Sequence, residues 1–195
     1  LAAGTLAMVA LGLWDDRRDL PALGKLAAQI VIAAATWAMG FRAAELGLIF
    51  DESGISAPLG SLVLTVGWIV VVSNAFNLID GLDGLASGIA IICLLTVFLL
   101  ANVNGATVPV IGALALAGSL AAFLRFNLPP ARVFLGDAGS LGIGYTTAVL
   151  SLASSQKAPA GVALIVPLVV LGVPMLDTAL AVVRRALAQA LRGDR

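Results

Sequence analysis

Long apolar runs, separated by short connectors that hold nearly all the charge, constrain this chain more than any other feature. Seven can be marked: residues 1–14, 26–41, 59–78, 85–101, 107–124, 140–153 with some flanking residues, and 160–183. A helix that crosses the hydrocarbon of a bilayer needs about 20 mainly apolar residues, with a range of about 17–25. Most of the runs approach that length; the first falls short and reads as cut at its start. Composition agrees. The chain is 61% hydrophobic and 11% charged, whereas soluble domains carry roughly 25% charged residues. That excludes a water-soluble globule and, more firmly, intrinsic disorder. The expected fold class is all-α, a polytopic helical membrane protein with about seven transmembrane helices in one integral-membrane domain over residues 1–195. Leu1 is not Met, and the first run leads into Asp15-Asp16 rather than a small-residue cleavage site, so it is not a signal peptide.

Charge sets the orientation. Connectors after the first, third, fifth and seventh runs carry Arg17, Arg18, Lys25, Arg125, Arg132, Arg184, Arg185, Arg192 and Arg195; the other side has only Arg42 and Lys157. By the positive-inside rule the first side is cytoplasmic. The eleven basic and eleven acidic residues cancel, so nothing recommends nucleic acid as a partner. Cys93 is the single cysteine and histidine is absent, which excludes an intramolecular disulfide, the common His/Cys zinc sites and His-based triads.

The carboxylates are more informative because they share a face with the cations. Asp15, Asp16, Asp19, Asp80, Asp83, Asp137, Asp177 and Asp194 fall at or near the cytoplasmic side; Glu45, Asp51 and Glu52 lie outside, in a stretch that reads as an ordinary loop. Ionisable groups at membrane depth are costly and usually face a bundle interior or a watery cavity. In WDDRRDLPALGK, Asp15 and Asp19 share a helix face at i+4, whereas Asp16 points elsewhere. Such a pair could hold a hard divalent cation or simply pair with Arg17 and Arg18. Lys25 stands where it could reach a phosphate. In SNAFNLIDGLDGLASG, Asn74, Asn77, Asp80 and Asp83 recur every three residues and form a drifting polar stripe if the helix continues. In RFNLPPARVFLGDAGSLGIG, Pro129-Pro130 stops a helix, Arg125 and Arg132 bracket the loop, and the Gly136–Ser140 turn opens the next helix. Free backbone N–H groups there suit an anion, whereas Asp137 suits a metal ion. Pro167 and Pro174 imply a kinked seventh helix, on which Asp177 is structural or catalytic. Three acidic clusters with cations beside them on one face are what phosphoryl transfer needs, and the membrane setting suggests a lipid substrate.

The blocks LWDDRRDLPALGKLAAQ, NAFNLIDGLDGLASG, FLRFNLPPARVFLGDAGSLGIG and VPMLDTALAVVRR resemble, in the same order, those of the polyprenyl-phosphate N-acetylhexosamine-1-phosphate transferases, and the LGKLAAQ and FNLPPARVFLGD stretches look most like the bacterial undecaprenyl-phosphate GlcNAc-1-phosphate transferases. The resemblance implies transfer of a sugar 1-phosphate, GlcNAc 1-phosphate for the nearest relatives, from a UDP-N-acetylhexosamine to polyprenyl phosphate. UMP is released, and the product begins a cell-envelope polysaccharide. Mg²⁺ is the implied cofactor, with Mn²⁺ as a substitute. The implied setting is the bacterial inner (plasma) membrane with the active site on the cytoplasmic face, and a homodimer is compatible with it.

Carried over by motif, the resemblance implies catalytic roles for Asp15, Asp16, Asp80 and Asp83, substrate binding by Lys25, Asn77 and Arg132, and metal ligation by Asp137, Asn77 and Asp15. The family has more spans and a His-containing loop after the Arg-Arg helix, so the chain reads as incomplete at both ends. Other readings are phospho-MurNAc-pentapeptide transfer within the same superfamily and, in a different class, an ion-coupled transporter. A transporter should carry charges near the bilayer midplane; here they crowd one rim. Asp15, Asp80, Asp83 and Asp137 are therefore expected to converge on one cytoplasm-facing cleft.

Overall fold

The computed structural model describes residues 1–43 and 56–155, together with Gly172, Leu180 and Arg184. The expectations for the seventh run, Asp177, Asp194 and the acidic residues of the external loop lie outside the described residues. Six helices follow one another: α1 (Ala2–Arg18), α2 (Ala22–Ala38), α3 (Ser56–Ile79), α4 (Leu85–Val103), α5 (Thr107–Asn127) and α6 (Gly136–Ser155). Each corresponds to one of the first six apolar runs, and among these elements there is no strand.

The breaks follow local chemistry. Pro21, with φ −60° and ψ 135°, caps α2, and Pro58 and Pro109 sit in the first turns of α3 and α5, where a missing N–H costs nothing. α5 stops at Asn127 because Leu128 is held extended (ψ 148°) before Pro129-Pro130. α1 runs four residues past the first apolar run, which puts Asp15 and Asp16 on the helix itself; Asp19, in the left-handed region at φ 43°, ends it. α3 differs from expectation. It ends at Ile79, and Asp80–Gly84 form a turn that Gly84 closes at φ +75°. The four-residue polar stripe is thus split between a helix and a turn.

α3, α4 and α5 are long and apolar enough to cross a membrane; α2 is apolar but shorter. Large apolar residues such as Leu6, Val63, Ile92, Leu99 and Ile111 face outward at 61–69% exposure, an arrangement that lipid, not water, accommodates. The protein is a multi-pass membrane protein.

α6 is the centre of the bundle and packs on α1, α3, α4 and α5. Every residue from Ser140 to Ser151 is buried, so this helix has no lipid face. Small residues permit the closeness. A Cβ on Gly144 would stand 2.7 Å from Ser73 Cα on α3, and one on Gly12 would stand 2.4 Å from the Asp137 carbonyl oxygen. Hydroxyls and amides meet across the helices: Thr36 with Tyr145 at 2.7 Å, Thr5 with Thr146 at 3.0 Å, and Trp68 Nε1 donating to Ser151 at 3.1 Å. Gln29 and Asn74 form a reciprocal amide pair between α2 and α3, with Asn74 Nδ2 donating to Gln29 Oε1 at 2.5 Å.

Candidate active site

The ends of α1, α3 and α5 meet the starts of α2, α4 and α6 at one end of the bundle, where the aspartates gather. At the centre is Asp137, in the first turn of α6. Asn77, in the last turn of α3, donates Nδ2 to Asp137 Oδ1 at 2.8 Å and to Ser140 Oγ at 3.0 Å. Lys25, in the first turn of α2, donates to Asp137 Oδ2 and forms an ion pair with Asp15 Oδ2 at 2.6 Å. These are the ion pairs found among the described residues. Lys25 therefore joins two carboxylates rather than standing free for a phosphate. Burial opposes its charge, but the hydrogen bonds to Asp137 and Asp15 outweigh that and raise its pKa.

The adjacent aspartates separate. Asp15 Oδ1 accepts the Leu20 N–H at 2.7 Å. A hydrogen bond with Asp137, then the Lys25 ammonium, hold the Asp15 carboxyl down at about 2 against the pull of burial. Asp16 turns instead to the start of α6, accepting the Asp137 N–H at 2.9 Å and the Ala138 N–H at 3.1 Å. Asp80, just past α3, makes no ion pair or side-chain hydrogen bond among the described residues. Burial raises its carboxyl to about 6, and the charges of Asp137 and Asp16 add to the rise. Asp83 makes a different contact. It is exposed and accepts the Ala131 N–H at 3.0 Å, tying the α3–α4 turn to the α5–α6 loop. Arg132 is exposed and lines a cavity of about 420 Å³ with Arg125, Phe126, Leu128, Pro129 and Pro130.

Sequence reasoning passed over three residues. Asn127, 3% exposed, accepts from Gly84 N–H (3.2 Å) and Ser87 Oγ (3.1 Å) and donates to the Val133 carbonyl (3.0 Å). Ser140 partners Asn77. Gln29 sits one turn above Lys25 and is fully buried. The available signal was an amide or hydroxyl within an apolar run, which must find a partner.

The donor chemistry fits a hard divalent cation. Among the described residues Asp80 has no cationic partner beside two further carboxylates, and the local donors are carboxylate and amide oxygens of the kind Mg²⁺ prefers. Among the described residues no three His, Cys, Asp or Glu side chains stand already gathered around one point; Lys25 occupies the space between Asp15 and Asp137.

Comparison with known proteins identifies the family. The glycosyl transferase family 4 model matches residues 1–155. A Bacillus subtilis (strain 168) protein named "Probable undecaprenyl-phosphate N-acetylglucosaminyl 1-phosphate transferase" is 35% identical over 96% of this chain and 52% of its own length. The "Decaprenyl-phosphate N-acetylglucosaminephosphotransferase" of Mycobacterium tuberculosis (strain H37Rv) is 37% identical over 96% and 52%. A "Phospho-N-acetylmuramoyl-pentapeptide-transferase" of Lactobacillus gasseri is 42% identical over 68% and 42%. The chain thus spans about half the length of these curated relatives. They give the transporter reading no support. With the motif order, the gathered aspartates and a family match over residues 1–155, the chain belongs to glycosyl transferase family 4.

Proposed function

We propose that the protein containing this chain transfers GlcNAc 1-phosphate from UDP-GlcNAc to a polyprenyl phosphate, at the cytoplasmic face of a bacterial plasma membrane. A phosphate oxygen of the lipid attacks the β-phosphorus, the bond to the α-phosphate oxygen breaks, and UMP leaves. The observation that carries this reading is the meeting of Lys25 and Asn77 on Asp137, with Asp15 and Asp80 alongside, at the basic-rich end of an apolar bundle. The relatives with matches over 96% of the chain act, by name, on GlcNAc phosphate and polyprenyl phosphates, which favours GlcNAc over a muramoyl pentapeptide.

Asp137, Asp80 and the Asn77 amide oxygen would hold Mg²⁺, which when bound neutralises phosphate oxygens. Lys25 holds the Asp15 and Asp137 carboxylates together and offsets part of their charge until substrate arrives. Asn77, fixed by Ser140, orients Asp137. Asp83 steadies the α5–α6 loop that carries Arg132, and Arg132 offers a cation to the nucleotide diphosphate.

The test uses full-length protein in membranes with undecaprenyl phosphate, labelled UDP-GlcNAc and Mg²⁺, read as lipid-linked sugar and UMP. Transfer should vanish with chelator and in Asp137→Asn, whose amide loses one anionic ligand yet is easier to insert near lipid. Transfer from UDP-MurNAc-pentapeptide and not from UDP-GlcNAc would overturn the choice of sugar. Transfer from neither would overturn the reading.

A further inference from the structure

The first N–H groups of a helix have no partner within it. At the start of α6 two of them are satisfied from another helix. Asp16, near the end of α1, gives Oδ1 to the Asp137 N–H at 2.9 Å and Oδ2 to the Ala138 N–H at 3.1 Å. The two helices are fitted to this contact. A Cβ on Gly136, where φ is +61°, would lie 3.0 Å from Asp16 Oδ2, and a Cβ on Gly12, one turn before Asp16, would lie 2.4 Å from the Asp137 carbonyl oxygen.

A carboxylate whose two oxygens each accept a backbone N–H is held in one orientation against the start of α6. Its negative charge also suits the positive end of the α6 dipole. Asp15 faces the other way, towards Lys25 and Leu20. We infer that Asp16 is a positioning residue that caps α6 from α1 and so sets where the Asp137 carboxylate stands, leaving Asp15 as the member of the pair that Lys25 holds. The two neighbouring aspartates therefore do different work. The inference deepens the transferase reading, but only the kinetic arm of its test depends on that reading.

The experiment is hydrogen–deuterium exchange on the full-length protein in nanodiscs, with chelator and without substrate, following the amides of Asp137 and Ala138. In the wild type both should be protected; exchange at the unstructured-peptide rate would overturn the proposal without any variant. Asp16→Asn keeps the shape but turns an N–H donor towards one of the two amides, so exchange there should rise about tenfold. Asp16→Glu, which keeps both acceptors, should stay nearer the wild type, and Asp80→Asn should leave these amides unchanged. In the kinetic arm Asp16→Asn should lower kcat about 100-fold by displacing Asp137, with KM for UDP-GlcNAc little altered. Wild-type exchange in an inactive Asp16→Asn would make Asp16 a reacting group and overturn the inference. A wild type without transferase activity would instead defeat the transferase reading and leave the exchange result standing.

Discussion

Adding one methyl group at Gly12 should disable the site before it unfolds the bundle. The new Cβ would lie 2.4 Å from the Asp137 carbonyl oxygen and 2.5 Å from both Cα and N of Ala138. These are backbone atoms, so no rotamer change relieves the overlap. Carbon contacts settle near 3.5–4.0 Å, so α1 and α6 must part by about 1 Å at this point. Overpacking of this kind costs about 1–3 kcal/mol, which a membrane bundle with an extensive core can survive. The site is less tolerant: a shift of about 1 Å in a positioning contact can cost about 100-fold in rate, and this shift acts directly on the amides that Asp16 holds. Gly4→Ala is the matched comparison, because its Cβ would strike the Tyr145 hydroxyl, at 1.8 Å, near the other end of the same helix. Gly67→Ala meets nothing within 4 Å and should behave as wild type. The assay is transfer rate per folded molecule beside melting temperature in detergent. Gly12→Ala and Gly4→Ala should both melt early, but only Gly12→Ala should lose rate per folded molecule by about 100-fold. Equal rate losses in the two, or a wild-type Gly12→Ala, would refute the reasoning.

Three further outcomes are expected. In a double-mutant cycle of Gln29→Leu and Asn74→Leu, read by detergent unfolding, the coupling should be about 1 kcal/mol and not larger, because inter-helix hydrogen bonds in membranes average about 0.6 with a ceiling near 1.7 and only one of the pair's two contacts is short; a coupling near zero would remove this pair as a lock between α2 and α3. Asn127→Ala strands the Gly84 N–H and the Val133 carbonyl together and should lower stability by about 1–3 kcal/mol, with faster proteolysis in the α5–α6 loop; unchanged stability and unchanged cleavage would count against it. Asp15, whose folded carboxyl is held at about 2 from an ordinary 3.8, contributes stability that is complete above its unfolded pKa and is lost as pH falls through the folded one. Melting temperature should therefore drop between about pH 4 and 2 in the wild type and drop less in Asp15→Asn; equal acid sensitivity would remove Asp15 as its source.

The first six helices and the sidedness of the charges were legible in the sequence because both are local properties: a run is long and apolar, and a connector is basic. The aspartates were found for the same reason. What the sequence could not reveal was how they divide. Lys25 looked free for a phosphate because Asp137 lies 112 positions away, and only the packing of α2 against α1 and α3, with α6 beside them, makes it a bridge. Asp15 and Asp19 looked like a helical pair, but Asp19 turns out of the helix to end it, and Asp15 takes the Leu20 N–H instead. The polar stripe from Asn74 to Asp83 assumed a continuing helix that stops at Ile79. Gln29 and Asn127 were legible in principle: an amide that cannot meet water must meet another side chain or the backbone.

The burial of α6 has a consequence for how the protein is made. Ser140, Thr146, Thr147, Ser151 and Ser154 lie along it with Asp137 in its first turn, and it is not among the helices apolar enough to count as a span by composition. α6 is thus a poor candidate to partition into lipid alone. Among the described residues, the helices that bury it, α1, α3, α4 and α5, precede it in the chain. The ribosome therefore delivers the helix that bears Asp137 to partners already synthesised, and the linear order of the sequence serves as an assembly schedule.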